Sequence, residues 1–134
     1  MAKEGGMGTT LSVDDSGGTP RAISNDVTNF TISTPRGVQD VTGVDKFAIE
    51  RLVLLADASV GLNGVFNDAA DQSHAVFKTV PSTSVQRTTA FNISAQTLSM
   101  ELLYSDYGLT RGQDGSATWT APGVLANGAV PTWS

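Results

Sequence analysis

Three side chains able to do chemistry fall within seven residues. Asp68, Asp71 and His74 lie three apart in "NDAADQSH" (67–74), and His74 is the only histidine. Two carboxylates and an imidazole at that spacing could ligate a metal ion or share acid–base work. The same residues could also open a helix. Asp68 is then a good N-cap, because its carboxylate accepts a hydrogen bond from a backbone N–H that the first turn leaves without a partner. Asp71 falls in the first turn, where the helix dipole favours an anion. At about 100° per residue the three groups drift across the helix surface. Neither His-x-x-x-His nor Glu-x-x-His occurs. The capping reading is the stronger, with Asp68 as N-cap and no metal or catalytic residue.

The remaining chemistry is thin. With no cysteine, the chain has neither disulfides nor thiolate chemistry. It carries no Gly-x-Ser-x-Gly, no Walker-type Gly-Lys-Ser/Thr and no Gly-x-Gly-x-x-Gly after a strand. A serine nucleophile would have only His74 to activate it. Trp119 and Trp133 could form a sugar-stacking platform, but Trp119 fits the alternating pattern of a core strand. No enzyme activity and no cofactor are expected.

The elements that must position these residues are mostly strands. Glycine is frequent, Ser and Thr are plentiful, and strong helix formers are few, so the composition leans towards β-structure. At 134 residues one domain is expected, 1–134, with a flexible arm at about 1–8 and a tail at about 127–134. Segments 9–15, 22–34, 57–68, 83–94, 97–109 and 116–128 read as strands, several by strict alternation, such as Leu98, Met100 and Leu102 against Ser99 and Glu101. "RGQDG" (111–115) carries a hairpin signal, and Pro122 marks an edge or a bulge. Residues 69–80 read as one short helix, closed by Pro81. Residues 36–56 read as a long loop with one or two helical turns, and the run Leu52–Ala56 as buried core. The fold class is mainly β, an antiparallel sandwich or barrel with one flanking helix.

Charge narrows the partners. Thirteen acids against eight bases give a net charge of −5. No cluster of Lys and Arg exists, which argues against binding nucleic acid by neutralising phosphates. No apolar run is long enough to span a bilayer, and the start lacks the pattern of a secretory signal. A protein soluble in the cytoplasm when made is expected.

Residues 40–68, "DVTGVDKFAIERLVLLADASVGLNGVFND", resemble tail tube (major tail) proteins of long-tailed bacteriophages. The matching pieces are Asp40-Val-Thr-Gly43, Glu50-Arg-Leu52, Leu55-Ala-Asp-Ala58 and Asn63-Gly-Val-Phe-Asn-Asp68. Upstream "ISNDVTNFTI" (23–32), and downstream "HAVFK" (74–78) and "ATWTAPGVLANGAVPTW" (117–133), extend the likeness over most of the chain. Leu52-Val53-Leu54 departs from it, standing where a tighter Pro-Gly turn is expected in many relatives.

The resemblance implies hexameric rings stacked into a virion tail tube, through which phage DNA passes without specific binding. It further implies self-association, tape-measure, tail-terminator and distal tail proteins as partners, synthesis in the bacterial host cytoplasm and no membrane. Other virion roles, as a head-decoration or head–tail completion protein, share the same β-rich, acidic profile; a carbohydrate-binding module fits it less well. Residues 36–56 mix charge with apolar bulk, too apolar for solvent and too charged for a core. Arg36, Asp40, Asp45, Lys46, Phe47, Glu50, Arg51, Leu54 and Asp57 are therefore expected at contacts between subunits or rings. Glu101 and Asp114 are the acidic candidates for the lumen.

Overall fold

In a computed structural model, which describes Lys3 and residues 5–134, the alternating segments become strands. In chain order these are β1 (Thr10–Asp14), β2 (Pro20–Ala22), β3 (Val27–Ser33), β4 (Arg36–Asp40), β5 (Arg51–Ala56) and β6 (Ser59–Val65). The helix α1 (Ser73–Phe77) and a 3-10 turn (Val80–Ser82) follow. Then come β7 (Arg87–Ile93), β8 (Gln96–Tyr104), β9 (Gly108–Arg111), β10 (Ala117–Leu125) and β11 (Thr132–Trp133). Mainly antiparallel β with one short helix is the class that the composition implies.

One large sheet holds most of the chain, in the order β2-β1-β7-β8-β10-β6-β3, with β9 added beside β10 and β11 beside β8. The sheet curls on itself. Phe30 of β3 meets Phe91 of β7 with ring centroids 5.0 Å apart, although β8, β10 and β6 separate those strands in the hydrogen-bonding order. Inside the curl lie Val13, Val60, Leu62, Leu98, Leu102 and Trp119, each the inward member of an alternating pair. The Trp119 indole donates to the Val65 carbonyl at 2.8 Å, so this large side chain is buried with its polar atom satisfied. A Cβ on Gly64 would overlap the Asp26 carbonyl and the Trp119 ring.

Pro122 marks where β10 changes partner. One edge of β10 pairs with β6 along its length. The other edge pairs with β9 through Thr120 and with β8 from Gly123 onward. Pro122 sits between, where its missing N–H interrupts no ladder. The β9–β10 turn closes with Gly112 N–H bonded to the Ser116 carbonyl at 2.8 Å and Gly115 at φ 93°, as the Asp-Gly signal implies.

Several expectations need correction. The strand expected over 22–34 is two strands, β2 and β3, joined by a turn that buries Ile23 and Asp26. The helix expected over 69–80 is confined to Ser73–Phe77, because Asp71 adopts a left-handed conformation, φ 63°, which a helix cannot continue through. The N-cap is therefore Gln72 and not Asp68, and no side chain of its own caps it. The loop expected over 36–56 is a hairpin of β4 and β5. Leu52–Ala56, expected as buried core, forms a strand with only Ala56 partly covered. In the expected C-terminal tail, Thr132 and Trp133 pair with Ser99 and Leu98 of β8. Of the expected N-terminal arm, Met1, Ala2 and Glu4 lie outside the described residues.

Candidate assembly interface

The opening trio does not converge. Asp68 is exposed, Asp71 lies 3.3 Å from the Arg21 guanidinium, and His74 Nδ1 lies 3.2 Å from the Tyr107 hydroxyl. The His74 ring packs between Phe66 and Tyr107. Among the described residues, no group of three His, Cys, Asp or Glu is placed to hold a metal ion.

Asp26, which the sequence reading passed over, takes the cap's task. Its buried carboxyl accepts the Ser73 N–H at 3.0 Å and the Asn67 amide at 2.9 Å, tying α1 to the turn before β3. Arg87 was legible only as an inward position of an alternating strand. Buried, it donates to the Asp14 and Val76 carbonyls at 3.0 and 2.8 Å and to Thr79 Oγ1 at 3.0 Å. Burial pulls its pKa below the usual guanidinium value. Both residues serve the fold: Arg87 locks β1, α1 and β7 together, and Asp26 fixes α1 to the turn before β3.

The surface is different in kind. The β3–β6 ladder ends at Ser33 opposite Ser59, Asp57 N–H bonds the Pro35 carbonyl at 3.1 Å, and the β4–β5 ladder resumes from Arg36 opposite Ala56 to Asp40 opposite Arg51. The two hairpins thus form one ribbon, half in the body and half outside it. Every residue of β4 is exposed. So are Val38, Val44, Phe47, Ile49, Leu52, Val53 and Leu55, with Phe47 at 108% and Leu55 at 90% exposure. None of the described residues covers either side chain. These exposed apolar side chains all lie on the one ribbon.

The residues expected at contacts gather on this ribbon. Lys46 and Glu50 pair at 3.6 Å across the tip. Asp40 accepts Thr42 Oγ1 at 2.6 Å and Thr42 N–H at 2.9 Å, and these bonds hold its carboxyl below the usual carboxylate range. Arg36 Nε donates to the Leu54 carbonyl at 2.8 Å, and Asp57 accepts the Ala58 N–H at the root. Asp45, Phe47 and Arg51 project without such ties. Sequence reasoning missed Val38, Val44, Ile49, Leu52, Val53 and Leu55, all on the same ribbon. The lumen candidates are not grouped: Glu101 is half-buried on β8 and bonded to Thr88, while Asp114 is exposed in the β9–β10 turn.

No protein-family model matches the sequence, and no curated protein matches it. Solved structures do. A chain in the tail of an empty gene transfer agent (GTA) particle, determined by helical refinement with C6 symmetry, superposes with a TM-score of 0.74 at 16% identity. The match covers 98% of this chain and 99% of that one. This chain shares the fold of that tail chain. A chain in the virion of a native GTA particle is similar as well, with a TM-score of 0.71 at 15% identity, over 98% and 99% of the two chains.

Proposed function

We propose that this chain is the tail tube protein of a phage-like particle, closing into hexameric rings that stack into a conduit for DNA. The β4–β5 ribbon carries the reading. Two isolated strands are marginal in water, and here the strands and the tip between them expose nine large apolar side chains. Burying one such side chain fully contributes about 1.5–3 kcal/mol. Covering even half of the ribbon's apolar surface gives on the order of 10 kcal/mol, comparable with the roughly 4–15 kcal/mol that association costs. A neighbouring subunit supplies that cover, which a monomer lacks.

The sheet supplies a second interface. In the run β9-β10-β6-β3, the outer edges of β9 and β3 pair with no strand among the described residues. β3 carries no charge and no proline to defend its edge. Joining β9 of one subunit to β3 of the next makes a heterologous contact that closes into a ring, in keeping with the C6 symmetry of the similar tail. At −5 per chain, six chains carry 6 × −5, or about −30, which opposes counterion-release binding and favours sliding DNA. Glu101 and Asp114 are proposed to contribute to that field at the lumen. Ring faces at the tube's ends are open to tape-measure, tail-terminator and distal tail proteins, and the protein is made in the host cytoplasm before joining the virion.

Electron microscopy of the purified, concentrated protein tests this directly. Hollow tubes with sixfold end views are expected. A protein that stays monomeric at every concentration, or forms only closed shells, overturns the reading.

A further inference from the structure

Resting on the tail tube reading, we infer that the seat for the ribbon's tip is an open groove at the far end of the same ribbon, on another copy of the chain. The groove has a volume of about 430 Å³ and lies between residues 6–11 leading into β1, Ser24 with the first half of β3, and the end of β7. It opens where β3 packs across the face of β7 through the Phe30–Phe91 contact, β7 itself being laddered to β1 and β8. Leu11, Val27, Phe30 and Ile93 give it an apolar floor, and Thr9, Ser24, Thr28 and Asn29 line the rest with neutral polar groups.

Position, size and charge point to Phe47 as occupant. The ribbon runs from Val27 opposite Gly64 to Asp40 opposite Arg51, a contour of about 43 Å at 3.3 Å per residue. The ladder holds the tip away from its own groove, so the guest comes from a second copy. Tip and groove at opposite ends make a head-to-tail contact that repeats without closing, as a stack of rings requires. The volume lies within the roughly 300–1,000 Å³ of sites that enclose organic groups, and so accommodates Phe47 with Val44 or Ile49 beside it. Among the described residues, no charged side chain lines the groove. The tip's Lys46 and Glu50 neutralise each other at 3.6 Å and stay at the rim.

The absence of native cysteine makes cross-linking clean. In the double variant A48C/T28C, which keeps Phe47 and changes two exposed positions, a short bismaleimide added to assembled tubes should give a ladder of covalent multimers. Either single variant should give none, and A48C/Q113C, with its second site in the β9–β10 turn, should give none. Phe47→Ala should raise the concentration needed for tubes roughly tenfold or more, as loss of a central apolar anchor does, with the monomer's melting unchanged and Phe47→Leu partly restoring assembly. Tubes that cross-link through Gln113→Cys but not Thr28→Cys, or Phe47→Ala tubes forming as readily as the parent's, overturn the groove assignment alone. A parent protein that forms no tubes overturns the tail tube reading beneath it.

Discussion

Asp40 stands across the β4–β5 ladder from Arg51 and does not pair with it. The carboxylate turns to Thr42 instead, with two hydrogen bonds that shape the entry to the tip. Arg51 makes no ion pair among the described residues. A cation left over beside an exposed apolar ribbon is suited to an acid on a neighbouring subunit, where such pairs set register more than strength.

Reversing that charge separates folding from assembly. Arg51→Glu should leave the monomer's stability within about 0.5 kcal/mol of the parent, as for other exposed positions, while tubes form poorly or not at all. Thermal melting and sedimentation of the same sample check both halves. A variant that chiefly unfolds would place Arg51 in the subunit's own framework.

Asp26 and Asp68 should behave in opposite ways. Asp26→Ala strands the buried Ser73 N–H and removes the Asn67 contact, and should cost about 2–4 kcal/mol. Asp68→Ala, at an exposed site with no cap to lose, should stay within about 0.5 kcal/mol. Urea denaturation of the two variants measures the contrast.

Stability should fall in acid. Hydrogen bonds from Thr19, Thr42 and Ser116 are the largest causes that lower the pKa values of Asp15, Asp40 and Asp114 from 3.8. A carboxylate with a depressed folded pKa contributes stability that is fully present above the unfolded value. That contribution is lost as pH falls below 3.8 through the folded value. The monomer's melting temperature should therefore drop from pH 5 towards about pH 2, and Asp15→Asn should flatten the slope. A melting temperature that rises over this range would contradict the assignment.

Strands that pack against their own chain were legible because burial writes alternation into them. Leu98, Met100 and Leu102 show it in β8, and Val60 and Leu62 in β6. The ribbon was not, since β4 and β5 face solvent on both sides. With no core of its own to impose a period of two, "RLVLLA" reads equally well as a buried strand or part of a helix. The cap was misread for a related reason: the carboxyl at the start of α1 comes from Asp26, 47 residues before Ser73, and local spacing carries no trace of it. The expected contact residues do fall on one ribbon, because mixed charge and apolar bulk is a compositional signal that survives a wrong secondary structure.

Amide hydrogen exchange over residues 36–56, compared between monomer and assembled protein, tests the central claim most directly. An exposed two-stranded ribbon with little cover opens easily, so its amides should exchange fast in the monomer while those of β6, β8 and β10 stay protected. Assembly should slow the ribbon's exchange strongly and leave the core strands as they were. Equal protection of 36–56 in monomer and assembly would contradict the account and make the ribbon an intrinsic part of the subunit's own fold.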